Sequence, residues 1–161
     1  MRWLRHPWLT VRVQIALGAI FVAAAIPKIL DPPSFAHMIY NYRLLPGQLV
    51  NALALILPWL ELLCGLALIV GVWRRTAALI VGVLLLVFIA GVGINLARNN
   101  AIDCGCFTQS SAPKTHKQLI VDMKWVIWRD VGMLLLVSQL LYATANRVEL
   151  LRRWDDRRRY E

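Results

Sequence analysis

Residues 76–97 read TAALIVGVLLLVFIAGVGINLA, twenty-two positions without one charge. A helix needs about 20 apolar residues to cross about 30 Å of hydrocarbon. The stretch therefore reads as a transmembrane helix. Arg74-Arg75 precede it and Arg98 follows it, so the apolar run has sharp edges. Gly82, Gly91 and Gly93 lie within it and would let a neighbouring helix come close.

Outward from this span the pattern repeats. A second span covers about 50–73 and carries Pro58, Glu61 and Cys64, with Arg74-Arg75 as the tightest turn in the chain. A first covers about 11–30. It is preceded by Arg2, Arg5, His6 and Arg12, with Trp3 and Trp8 as interfacial anchors. The basic start and Ala23-Ala24-Ala25 mimic a signal peptide, but the run is long and three further spans follow, so it reads as a retained helix. Pro27 and Lys28 close it, and Asp31-Pro32-Pro33 is expected to stop any helix. A fourth span covers about 127–146. The expected fold is an all-α membrane protein, a four-transmembrane-helix bundle. Residues 1–146 form one integral membrane domain, and 147–161 form a basic tail.

Composition agrees. Of 161 residues, 59% are apolar and 17% charged, against about 45–50% and about 25% in soluble domains. A soluble enzyme, a disordered tail and a secreted disulfide scaffold are all excluded. The formal net charge is +9. Basic chains can bind nucleic acid through phosphates, but here the arginines cluster beside apolar spans, as the positive-inside bias predicts. No nucleic-acid partner is expected; the partner is the lipid bilayer. With the N-terminus inside, the inner segments hold eleven basic residues: Arg2, Arg5, Arg12, Arg74, Arg75 and six tail arginines. The outer segments hold seven: Lys28, Arg43, Arg98, Lys114, Lys117, Lys124 and Arg129. Both termini are thus expected to be cytoplasmic, with loops 31–49 and 98–124 outside.

The outer loop contains Asp103-Cys104-Gly105-Cys106-Phe107. An i,i+2 cysteine pair only just meets the Cα separation of about 4.4–6.8 Å that a disulfide wants, and Gly105 supplies the backbone freedom. Strained, exposed disulfides are labile rather than structural. Arg98, Lys114 and His116 could stabilise a thiolate, with Asp103 opposing. Three readings remain open, in this order: a redox pair, half of a soft-metal site, and a staple. As a staple the pair would be poor, because so small a ring removes little chain entropy. The block of metal ligands is otherwise thin, with His37, Asp103 and His116 as the other outer-loop candidates, and no metal is assigned.

Glu61 lies near the middle of the second span, where ionisable groups are costly and are functional or paired by default. Lys28 and Arg129 are its candidate partners, and the alternative is a carboxyl left protonated. Pro58, Glu61, Cys64 and Gly65 share one helix face. Cys64 reads as a packed apolar residue. Arg129 and Asp130 open the fourth span. Neighbours on a helix do not face each other, so each is expected to find its partner on another helix. Tyr40, Tyr42, Trp59, Trp125 and Trp128 read as an interfacial belt.

Ala25-Ile26-Pro27-Lys28, Asp31-Pro32, Phe35, Tyr42, Leu45-Pro46, Pro58-Trp59-Leu60-Glu61 with Gly65, Asp103-Cys104-Gly105-Cys106-Phe107 and Arg129-Asp130 occur in this order. In this the chain resembles the MauE/DoxX family of small four-helix redox-associated membrane proteins, over about 11–146. The Cys-Gly-Cys-Phe element resembles the MauE branch. Thr108 departs from the pattern, where a glycine often follows the phenylalanine. The resemblance implies a multi-pass bacterial inner-membrane protein acting in periplasmic disulfide formation or transfer beside a thioredoxin-like partner. Its DoxX side implies quinone as a candidate cofactor, or membership of a larger membrane complex. Cys104 and Cys106 would be catalytic, with Lys28, Glu61, Arg98, Arg129 and Asp130 supporting. The reading from another class is a non-catalytic accessory subunit, its cysteines a staple or metal clip.

Overall fold

The computed structural model describes residues 7–43, 46–100 and 115–159, and their side chains at 8–43, 46–100 and 115–144. Within these residues the chain forms five helices: α1 (Pro7–Leu30), α2 (Pro32–Asn41), α3 (Gly47–Val70), α4 (Arg74–Ala97) and α5 (His116–Arg159). The helices α1, α3, α4 and the first part of α5, to Thr144, are each long and apolar enough to cross a membrane. At 1.5 Å per residue, the 24 residues of α1, α3 or α4 span about 36 Å. Helices are favoured because a spanning segment must satisfy its backbone hydrogen bonds internally. The four expected spans are all present.

Around the bundle the order is α1, α3, α4, α5, with α5 closing back on α1; α2 packs on α3 and α1. The core between the helices includes Leu17, Phe21, Leu68, Val81, Val137 and Leu140. The tightest crossing joins α1 to α3 at Gly18 and Gly65. A Cβ on Gly18 would lie 2.6 Å from the Gly65 carbonyl oxygen, and one on Gly65 would lie 2.9 Å from that of Gly18. Nothing larger than hydrogen fits between these backbones. In α4, Gly82 packs near Val137, whereas Gly93 has nothing within 4 Å and mediates no close approach.

The structure corrects four expectations. The second span ends at Val70, not Trp73. Gly71, at φ +81°, caps α3 in the left-handed region, its N–H donating to Ala67 O, and Trp73 is also left-handed. The 31–49 segment is not all loop. Asp31 caps α2 by accepting from the Ser34 N–H, and Pro32-Pro33 start the helix. Proline lacks only an N–H that the first turn leaves unbonded anyway, so the pair that ends one helix opens the next. The fourth helix begins well before residue 127. Gln118 accepts from the Thr115 N–H at 2.9 Å, half of a capping box, and starts α5 at His116. No proline interrupts α5 afterwards, and its backbone stays helical through the tail to Arg159, 44 residues in all. Finally, Tyr42 is not on an interfacial belt. It is half-buried, tilted against Phe88 with ring centres 6.4 Å apart.

Candidate functional site

An open cleft of about 110 Å³ lies where the four long helices meet. Its walls are Ile20, Phe21 and Ala24 of α1, Leu57 of α3, Leu84, Leu85, Val87 and Phe88 of α4, and Met133 of α5. Val87 is exposed, so the cleft reaches the lipid-facing side of the bundle. Four charged residues line it as well: Lys28, Glu61, Arg129 and Asp130. Glu61 and Asp130 each stand 14 residues into their helices, about 21 Å from the first residue.

The charges are paired. Lys28 Nζ donates to both carboxylate oxygens of Glu61, at 2.9 and 2.7 Å, and both residues are buried. Lys28 stands near the end of α1, where a lysine normally reaches outward to the headgroups. Here it reaches into the bundle instead. The Phe35 ring of α2 covers it, with Nζ 5.1 Å from the ring centre. That contact adds a cation–π attraction and removes the outward route. Of the two partners offered for Glu61 by the sequence, Lys28 holds it.

Arg129 and Asp130, neighbours on α5, pair with each other, a contact the sequence reading did not expect. Arg129 Nη2 and Nε lie 2.9 and 3.0 Å from Asp130 Oδ1. The rule that neighbours on a helix face apart holds at Cβ. A guanidinium on a long flexible stem can fold back, and a carboxylate 1% exposed gives it reason to. Lys28 also acts on Asp130 through its charge. The cleft thus carries two cations and two anions. Among the described residues no three metal-ligating side chains converge.

Pro58, Glu61, Cys64 and Gly65 share a buried face of α3, and Cys64 is a free thiol within the core. Arg98 is exposed at the C-cap of α4 and does not line the cleft. Cys104, Cys106, Asp103 and Lys114 lie outside the described residues. The segment bearing them leaves α4 at Asn100 and returns at Thr115, both at the α2 end of the bundle. Asn100 Nδ2 lies 3.5 Å from Asn41 O, and near the start of α5 Met123 packs with Val92, Leu96 and Tyr42.

At the same end, Asp31 accepts from both the side chain and the backbone N–H of Ser34, which hold its carboxyl below the usual carboxylate range. Sequence reasoning passed over Gly18, Gln14 and Asn95. Gln14 is buried and donates to Leu68 O across α1 and α3. Asn95 is the one amide within the uncharged run 76–97, and a polar group there was the available signal.

The family model for "Methylamine utilisation protein MauE" matches residues 6–143 of this chain. The chain belongs to the MauE family. It is 39% identical to the MauE protein of Methylophilus methylotrophus over 101 residues, 62% of this chain and 53% of that one. It is 35% identical to MauE of Methylorubrum extorquens over 121 residues, 74% of this chain and 65% of the relative. With MauE of Paracoccus denitrificans the figures are 37% over 106 residues, 65% and 57%. The chain therefore spans between about half and two thirds of the length of these curated MauE relatives. No solved structure matches it. MauE membership and the four apolar helices make it a multi-pass bacterial membrane protein.

Proposed function

We propose that this MauE-family chain takes part in methylamine utilisation as a membrane thiol–disulfide exchange protein. Cys104 and Cys106 would form the working pair. One observation carries the reading: two cysteines one residue apart sit in a segment whose two ends, Asn100 and Thr115, leave the same end of the bundle. A soluble thioredoxin-like partner can reach such a segment at the membrane surface. In the exchange, a thiolate of the reduced partner attacks the Cys104–Cys106 disulfide. A mixed disulfide forms, one cysteine leaves as thiolate, and the partner's second thiolate releases the chain as a dithiol. Reoxidation removes two electrons and two protons. A quinone, if it is the acceptor, would supply that two-electron sink. Its ring edge would enter the cleft, whose walls are largely apolar and include Phe21 and Phe88, with the tail left in lipid. Lys28 and Arg129 would donate hydrogen bonds to a carbonyl oxygen there, while Glu61 and Asp130 keep the site neutral.

Titration of the pair against glutathione, with trapping of mixed disulfides by Cys106→Ser, tests the reading. The expected result is reversible reduction above about −300 mV and a trapped partner. A pair still oxidised below that potential, with nothing trapped, would make it a staple. The orientation belongs to the same proposal: both termini cytoplasmic, the cysteines outside. A periplasm-active reporter fused after Gln109 and a cytoplasm-active reporter after Tyr160 should both signal, and silence of both would reverse the topology.

A second reading keeps the chain as an accessory subunit of a larger membrane complex. The observation favouring it is that the buried Lys28–Glu61 ion pair joins α1 to α3, as in charges that pin helix packing.

A further inference from the structure

We propose that the outward face of α5 is a dimer interface, and that its occupant is the α5 helix of a second copy of this chain in the same membrane.

The four spans are not equally suited to lipid. Of the four, α5 has the lowest mean hydropathy, and the smallest share of it is buried inside the bundle. The least apolar span is thus the one most open to its surroundings. Along their middles the outward faces of α3 and α4 are apolar, with Ile56 and Leu63 on one and Val83 and Leu86 on the other. The exposed amides and hydroxyl of those helices, Gln48, Asn51 and Thr76, stand within the first two turns, close to the headgroups.

The outward face of α5 is different. It reads Trp128, Gly132, Leu135, Gln139 and Tyr142. Trp128, Leu135 and Tyr142 are 75%, 66% and 60% exposed; Gly132 is exposed and Gln139 half-buried. These positions follow one another at intervals of four, three, four and three residues, the spacing of a left-handed helix–helix seam. None of them lines the cleft. Val137, two residues from Gln139, packs at Gly82, about 12 Å along α4 from Arg74. Gln139 therefore lies about 9 Å from the level of Arg74. That depth is within hydrocarbon, where a polar side chain is better placed against protein than against lipid.

The stripe fits its own copy. Two copies inserted the same way bring their α5 helices together in parallel, about a two-fold axis along the membrane normal. Each residue of the seam then meets itself. No position of the stripe is charged, so none repels its double. Gly132 meets Gly132, and a Cβ there would touch nothing within its own chain, so the space beside it is open to a neighbouring helix. Gln139 meets Gln139. A carboxamide is both donor and acceptor, with two N–H groups and two lone pairs, so a pair of them can bond reciprocally besides any contact within each chain.

The test is disulfide cross-linking of the full chain in native membranes, with Cys104 and Cys106 replaced by serine. Leu135→Cys should give, on oxidation, a product of twice the chain mass, and Leu63→Cys on the outward face of α3 should give none. Adding Gly132→Leu should abolish the product without disturbing the monomer, because the new side chain enters open space. Gly93→Leu, at the other glycine with nothing within 4 Å, should leave it unchanged. In detergent, Gln139→Leu should raise the dimer dissociation constant about three- to thirtyfold, the range expected of one interhelical hydrogen bond in a membrane. Gln139→Asn, which keeps the amide, should recover part of the loss. A Leu135→Cys chain that stays monomeric, or links no better than Leu63→Cys, would overturn the interface. A product of another mass, joining the chain to a different protein, would overturn the second copy as occupant. So would a yield unmoved by Gly132→Leu.

Discussion

Midway along α1 and in the last third of α3 the two helices touch backbone to backbone at Gly18 and Gly65; toward α2 the same two helices meet through a lysine and a glutamate. The first contact is made of absence, two positions with no side chain. The second is made of two long side chains that must be desolvated, aimed and roofed by Phe35. The glycine crossing tolerates no addition, because its neighbours are backbone atoms that cannot move aside. The ionic contact tolerates no subtraction, because removal of one charge strands the other. One pair of helices therefore obeys two opposite rules within a few turns.

The sharpest way to break this contrast is Glu61→Leu. Lys28 would remain buried without its partner, and a stranded charge of this kind costs about 3–5 kcal/mol. Unfolding in mixed detergent should register that loss. Lys28→Met combined with Glu61→Leu should restore most of the stability, since the cost lies in the uncompensated charge. A double variant as weak as the single would show that the pair does more than neutralise itself.

Gly18→Ala comes next. The added methyl meets the Gly65 carbonyl oxygen, and overpacking of this order costs about 1–3 kcal/mol. Gly93→Ala should do the reverse. Its Cβ meets open space, and alanine is favoured over glycine in a helix by up to about 1 kcal/mol. The two substitutions are chemically identical, so opposite signs in one unfolding assay would isolate the packing effect.

The smallest effect belongs to Asp31, which caps α2 and so steadies the roof over Lys28. Its carboxyl is held below the ordinary value of 3.8 by Ser34. A lowered folded value means that the cap stabilises above the unfolded value and is lost as pH falls through the folded one. Asp31→Ala should therefore lower the melting temperature slightly at neutral pH. The difference from the parent should shrink as the pH falls below the ordinary carboxylate value and vanish once the folded carboxyl is protonated.

These contrasts mark what a single sequence discloses. The four spans were legible because each is a long apolar run, and Lys28 and Glu61 stood out because charge in such a run has a cost. Asn95 left the same kind of trace, fainter because an amide is cheaper to bury than a charge. The Gly18–Gly65 crossing left none. A glycine in a helix looks alike whether it faces a backbone or open space, as Gly93 shows. The helix α2 was hidden by Pro32-Pro33, a pair that reads as an ending although it serves equally as a beginning. The self-pairing of Arg129 and Asp130 was hidden because helix geometry constrains Cβ and not the tip of an arginine. The cysteine pair was the plainest chemical signal in the chain, and it lies outside the described residues.

The inward turn of Lys28 also bears on how the protein enters its membrane. As α1 is released alone into the bilayer, its lysine has no acid to meet; when α3 follows, Glu61 arrives equally alone. Glu61, mid-span, makes a lone α3 a poorer guest in lipid, and Lys28 in the last turn of a lone α1 costs less because it can reach the headgroups; a charge at the centre costs about 2.5–3.5 kcal/mol. The penalty is relieved only once both are present and side by side. Insertion of α1 is thus completed by a segment synthesised some thirty residues later, and a chain truncated before Glu61 should hold its first helix less firmly than the finished one.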